Sequence, residues 1–128
     1  MQTSGLNHVI LTVSDTERSG NFYGNVPGFP VIVIKGDPDQ SFFFSLGGVQ
    51  FFFFPSRQPL ENDRLSAFRI GLDHLSFPAP GKEALLELAD RLIAAGVGTK
   101  GVEQFVHTSN WYVAFRDPGN IQLEYWLP

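Results

Sequence analysis

The sequence predicts an α+β fold built from two tandem β-α-β-β-β modules. Three observations predict it: one order of elements occurs twice, the two opening strands align residue by residue, and so do the two closing strands. Gly5-Leu6-Asn7-His8-Val9-Ile10 lies on Gly71-Leu72-Asp73-His74-Leu75-Ser76, and Gly47-Gly48-Val49-Gln50-Phe51-Phe52 lies on Gly119-Asn120-Ile121-Gln122-Leu123-Glu124. One such match would carry little weight. Two in register, bracketing the same order of elements, mark a duplicated unit. The 128 residues are read as a single domain over 1–128, with module one at about 5–55, a connection at about 56–69 and module two at about 70–128.

Each element has a local reason. Leu6 to Val13 is rich in aliphatic and β-branched residues and reads as a strand. Ser14, with Glu17 three residues on, forms a capping box that opens a helix to about Tyr23. Gly24, Pro27, Gly28 and Pro30 stop that helix. Strands follow at Val31–Ile34, Ser41–Leu46 and Val49–Phe54, the last two joined by the tight-turn pair Gly47-Gly48. Pro55 to about Arg69 is polar and reads as an exposed connection. The order then restarts with a strand at Ile70–Phe77, broken by Pro78-Ala79-Pro80-Gly81. Leu85, Leu88, Ala89, Leu92 and Ile93 recur at helical spacing within Lys82–Ala95, and Gly96 is its stop. Val102–Val106, Trp111–Arg116 and Ile121–Leu127 complete the second set, with Asp117-Pro118-Gly119-Asn120 as a turn.

Composition narrows the classes of function. The absence of cysteine excludes a disulfide framework, a thiolate zinc site and a cysteine nucleophile. A formal charge of −4 argues against nucleic acid or an anionic membrane as the main partner. No stretch approaches the roughly 20 apolar residues of a membrane span, and the N-terminus carries no basic run, so a cytoplasmic location is expected. The 13 phenylalanines are the unusual entry. Many stand in the runs Phe42-Phe43-Phe44 and Phe51-Phe52-Phe53-Phe54, where strand alternation sends Phe52 and Phe54 to one face and Phe51 and Phe53 to the other.

The same alternation identifies a candidate metal site. Leu6, His8, Ile10 and Thr12 share a face, as do Leu72, His74 and Ser76, and Gln122, Glu124 and Trp126. A lone strand histidine is ordinarily a core or rim residue, and a lone strand glutamate ordinarily faces water. Here the repeat sets both histidines at one structural position. If a pseudo-twofold relates the modules, His8 and His74 converge near its axis and Glu124 can join them. Two imidazoles and a carboxylate on one side of a cation suit Fe(II) and other divalent first-row metals, with open positions for substrate oxygens or O₂.

With these residues in view, the chain resembles the vicinal oxygen chelate superfamily: glyoxalase I, fosfomycin- and bleomycin-resistance proteins, and extradiol ring-cleaving dioxygenases. The resemblance covers nearly the whole chain. It rests on Gly5-Leu6-Asn7-His8, Asn21-Phe22-Tyr23, Leu72-Asp73-His74, and Phe115-Arg116-Asp117-Pro118-Gly119-Asn120 running into Glu124. It implies a cupped mixed sheet of the glyoxalase/dioxygenase type with His8, His74 and Glu124 as ligands of one divalent metal ion (Fe, Mn, Zn, Ni or Co). It also implies chelation of substrate through two adjacent oxygens, and a homodimer whose sites are either intrachain or shared between copies.

Departures from the family pattern separate its branches. Glyoxalase I typically carries a fourth Glu or Gln ligand at the position of Phe52, with Gln50 the nearest substitute on that face, and a phenyl ring cannot ligate a cation. Extradiol enzymes are similar in using His-His-Glu alone, and they place a His and a Tyr ahead of the terminal Glu. His107 matches the His; the Tyr position is Ala114, with Tyr112 two residues earlier. This makes His107 and Tyr112 the catalytic candidates, His107 as an acid–base group and otherwise a surface turn residue beside Thr108-Ser109-Asn110. The fosfomycin branch is poorer, since Ile10 stands where its Thr would be and clustered basic residues for a dianion are lacking. Phe52, Phe54, Gln50, Trp111 and Trp126 are the candidate substrate contacts. The expected function is a metal-dependent enzyme most like a ring-cleaving dioxygenase, acting on a small aromatic or apolar molecule. The alternatives are a glyoxalase I-like lyase or isomerase, and a bleomycin-resistance-like protein that sequesters a small molecule without catalysis.

Overall fold

A computed structural model describes residues 2–128. Its contacts divide the chain into two compact units, one ending at Asp63 and one beginning at Arg64. In the first unit the order is β1 (His8–Val13), α1 (Thr16–Asn25), β2 (Ile32–Val33), β3 (Phe42–Leu46) and β4 (Val49–Pro55). In the second it is β5 (His74–Pro78), α2 (Lys82–Ala94), β6 (Val102–Gln104), β7 (Trp111–Arg116) and β8 (Gln122–Leu127). Each unit thus repeats β-α-β-β-β and owns a four-stranded mixed sheet, ordered β1-β4-β3-β2 and β5-β8-β7-β6. The outer pair is parallel in both sheets and the remaining pairs are antiparallel.

Module one is held by aromatic rings. Tyr23, Phe42, Phe44 and Phe53 are fully buried. Phe42 stacks on Phe53 with centroids 4.4 Å apart, and Tyr23 of α1 comes down on Phe53 at 4.6 Å. Burying one such side chain contributes about 1.5–3 kcal/mol, and ring pairs add about 0.5–1.5 kcal/mol each. Phe51 and Phe53 therefore pack on the helix side of the sheet, as alternation requires. The helix lies close: a Cβ at Gly20 would be in van der Waals contact with the Phe42 ring at 3.4 Å. Gly47 and Gly48 both have positive φ, the requirement of the two-residue turn between Leu46 and Val49.

Module two is held by aliphatic packing. Leu85, Leu88, Ala89 and Leu92 of α2 are buried with Phe77, Val113, Phe115, Ile121 and Leu123 of the sheet. Gly96, with φ of +69°, ends the helix, the Val97 N–H returning to the Leu92 carbonyl at 2.9 Å. In the turn after β7 the Asp117 side chain is buried and accepts from the Ile121 N–H at 2.8 Å.

Four local expectations are corrected. The cap of α1 is Asp15, whose side chain accepts from the Arg18 N–H at 2.9 Å; the Ser14–Glu17 box does not form. The helix runs on to Asn25, past Tyr23. β5 begins at His74 instead of Ile70, because Ile70 is fully exposed and Gly71 takes a positive φ, so no partner strand engages them. Ile93 follows the helical spacing but is 66% exposed, one step round from the buried stripe.

Candidate metal centre

The ladders establish the equivalence of the two modules. His8 stands opposite Gln50 and Ile10 opposite Phe52 in the parallel pair of module one. In module two His74 stands opposite Gln122 and Ser76 opposite Glu124. Phe52 therefore occupies in module one the place that Glu124 occupies in module two.

The two histidines are prepared in the same way. His74 Nδ1 is 2.6 Å from Asp73 Oδ1, and His8 Nδ1 is 2.7 Å from Asn7 Oδ1. A carboxylate only accepts, so Nδ1 of His74 is a donor to Asp73 and Nε2 is the nitrogen turned toward Glu124; the Asn7 carbonyl oxygen engages Nδ1 of His8 in the same way. Orientation of a ligating imidazole by an oxygen on its second nitrogen is the common arrangement at protein metal sites. His74 Nε2 lies 3.5 Å from Glu124 Oε2. Two donors at about 2.0–2.2 Å from a shared cation can be separated by this distance at an angle of roughly 110°. The Glu124 side chain is largely shielded, at 14% exposure, while His74 is 38% exposed, so solvent reaches the pair mainly at the imidazole.

An imidazole and a carboxylate at this separation are donors of the types that hold a divalent cation. His74 and Glu124 are brought together within module two; His8 stands in module one. Among the described residues no group of three or more His, Cys, Asp or Glu is gathered that could hold a metal ion.

The predicted substrate contacts separate into two groups. Phe52 and Phe54 are on the His8 face: the Phe52 ring meets His8 edge-on at 6.3 Å and stacks with Phe43 at 5.4 Å and Phe54 at 6.2 Å. Gln50 is exposed on the same face, opposite His8. In module two, Trp126 stacks on Tyr112 at 5.7 Å and meets Phe105 at 5.5 Å, on the face of Glu124. Trp111 is not on that face. It alternates to the helix side, where Lys82 of α2 places its ammonium 3.9 Å from the ring centroid. His107 lies in the exposed β6–β7 loop and touches Phe105 at 5.3 Å. Burial raises the Tyr112 phenol above its ordinary value, with Glu103 and then Glu124 adding to the rise, so this group is a hydrogen-bond donor at neutral pH.

Sequence reasoning missed the groups that hold the candidate ligands. Asn7 and Asp73 were visible as the residues before each histidine, and that adjacency was the available signal. Gln122 donates to Glu124 Oε1 at 3.3 Å and accepts from Arg116 at 2.8 Å. Phe105 and Glu103 joined the Tyr112 cluster without a sequence signal, because β6 is short and its alternation spans only three residues.

Fold and face together define a β-α-β-β-β repeat protein whose module two presents a His–Glu pair. The family model of the Glyoxalase/Bleomycin resistance protein/Dioxygenase superfamily matches residues 5–125, and the chain belongs to that superfamily. A glyoxylase/bleomycin resistance protein/dioxygenase domain from Frankia sp. EAN1pec is 31% identical, with a TM-score of 0.81 and 98% of each chain covered. A lactoylglutathione lyase from Agrobacterium tumefaciens is similar in fold, at 22% identity and a TM-score of 0.73, covering 99% of this chain and 96% of the other. So is a genomically encoded fosfomycin resistance protein from Listeria monocytogenes, at 21% identity and a TM-score of 0.73, covering 99% and 95%. No curated protein matches the chain in sequence. Members of the superfamily are often metal-dependent enzymes and typically bind a divalent metal. Among the described residues no helix is long and apolar enough to cross a membrane.

Proposed function

We propose that the chain is a divalent-metal-dependent enzyme of the vicinal oxygen chelate type, most like a ring-cleaving dioxygenase, acting on a small aromatic or apolar substrate through two adjacent oxygens. The observation that carries this reading is the His74–Glu124 pair, 3.5 Å apart and backed by Asp73, repeated in module one by an equally backed His8 but with Phe52 in place of the second carboxylate. With His8 proposed as the third ligand, the cation would keep open positions for a chelating substrate. The cation, when bound, supplies Lewis acidity toward the adjacent oxygens and stabilises the anion they form.

The chain's own residues do the rest. Asp73 and Asn7 hold the imidazoles with Nε2 outward. Phe43, Phe52 and Phe54 offer an apolar wall that suits a ring and excludes water. Tyr112 stays protonated and donates a hydrogen bond, and His107 is the proposed acid–base group at the rim. We further propose a homodimer: Ile10 and Ile32, at the two ends of the cross-strand row that runs through Phe52 and Phe43, are 56% and 54% exposed in the single chain, and a second copy would cover them. Sequestration of a planar molecule without catalysis is the second reading, favoured by the Phe43–Phe52–Phe54 stack, which needs no metal to bind a ring.

Metal analysis of purified protein, followed by O₂ uptake with a panel of catechols, separates these readings. The enzyme reading expects near-stoichiometric metal and O₂ consumption that Glu124→Ala abolishes. Less than about a tenth of an equivalent of metal, with none taken up on titration, would sink it. Hemithioacetal turnover without O₂ would move the assignment to the glyoxalase-type lyases.

A further inference from the structure

Glu124 does not stand alone beside His74. Its Oε1 accepts from the Gln122 side-chain amide at 3.3 Å, and its Oε2 faces His74. The Gln122 oxygen accepts from Arg116 Nη2 at 2.8 Å, and Arg116 Nη1 donates to the Asn120 carbonyl at 3.1 Å. Both residues lie on the sheet face of Glu124: Gln122 is two residues away on β8, and Arg116 pairs with Gln122 across the β7–β8 ladder. The orientation of the amide is dictated by its neighbours. An arginine side chain has donors only and a carboxylate has acceptors only, so the oxygen of Gln122 must turn to Arg116 and its NH₂ to Glu124. A glutamine is suited to this place because it can receive from one neighbour and donate to the other without adding a charge.

We infer that Gln122, oriented by Arg116, is a positioning residue that engages one oxygen of Glu124 and presents the other, Oε2, to the cation. The inference rests on the metal reading above and goes beyond it in assigning how the carboxylate binds. A carboxylate whose two oxygens are both free can rotate or bind through both. One whose Oε1 is engaged offers a single fixed donor, leaving more of the cation's coordination sphere for a substrate that needs two positions. The asymmetry between modules agrees with this role. Gln50 occupies the equivalent register in module one, opposite His8, but its neighbour two residues on is Phe52, which has nothing for an amide to hold.

The test is Co(II) binding to the full chain, read by affinity and by the visible ligand-field spectrum, with circular dichroism and thermal melting as fold controls. Gln122→Met keeps the bulk and removes the amide. It is expected to weaken Co(II) about tenfold, as loss of an outer partner of a metal ligand does, and to change the ligand-field bands while the melt is preserved. Arg116→Met should give the same spectral change to a smaller degree, and the double variant should be no worse than Gln122→Met alone, since both act on one oxygen. Should Gln122→Met keep wild-type affinity and spectrum, the positioning role is overturned while the metal reading stands. Absence of Co(II) binding by the wild-type chain would overturn both.

Discussion

Modules one and two have the same element order, the same strand order and the same ladder register, down to a histidine facing a glutamine across the parallel pair. They differ in what fills the equivalent positions. Module one packs its helix on phenylalanine rings and leaves Phe52 beside its histidine; module two packs mainly on aliphatic side chains, with Phe77 and Phe115 among them, and places Glu124 beside its own. A duplicated backbone thus carries two different chemistries. Module one carries an imidazole and an apolar face, and module two carries an imidazole, a carboxylate and the hydrogen-bond chain that holds it. The backbone can be kept while the side chains diverge because a strand's two faces are independent: residues on one face can change without disturbing the packing under the helix.

The largest test of this contrast is in the cores. Phe53→Ala in module one is expected to destabilise the protein by about 3–5 kcal/mol, and Leu92→Ala in module two by about 2–5 kcal/mol, read from urea unfolding. If the cores of the two modules are independent, the losses should add in the double variant. A double variant whose loss departs from the sum by more than about 0.5 kcal/mol would show that the two cores are coupled.

A smaller effect comes from transplanting the carboxylate. Phe52→Glu would set a carboxylate in module one at the register that Glu124 holds in module two, and we expect divalent-metal affinity to rise about tenfold, or about 1.4 kcal/mol, measured by competition with a chelating dye. The same change should lower any O₂-dependent turnover, because it fills a position the substrate needs. Unchanged affinity would show that Phe52, despite its register, does not border the cation.

The smallest concerns Tyr112. Burial lifts its phenol first and Glu103 second, so Glu103→Gln should lower its pKa, followed by ultraviolet absorbance of the phenolate. The sign for stability follows from linkage. With a folded pKa above the ordinary value, Tyr112's contribution is fully present below about pH 10 and is lost as pH rises through the raised folded value. Glu103→Gln should therefore make that loss smaller and complete at lower pH.

Much of the fold was legible because its signals are local. Alternation, helical spacing and turn chemistry act over a few residues, so the two β-α-β-β-β sets, the Gly47-Gly48 hairpin and the Gly96 stop could be read directly, and the repeat aligned the histidines before any contact was known. Errors came where a local signal had competitors. Asp15 and Ser14 are both good caps, and only the path of the helix decides which side chain reaches a free N–H. Ile70 has strand-forming character, but a strand needs a partner, and the ladder begins at His74. Trp111 reads as part of an aromatic group with Trp126, while alternation from its place in β7 turns it toward Lys82.

By itself the sequence determined the class of fold, the equivalence of His8 with His74 and of Phe52 with Glu124, and the apolar character of one wall. These follow from residue type and spacing along a strand. Only the tertiary structure decided that Asp73 and Asn7 back the two imidazoles and that His74 stands within chelating distance of Glu124. It alone revealed the chain from Arg116 through Gln122 to the carboxylate. Hydrogen bonds between strands depend on register and side-chain rotamer, which no periodicity encodes.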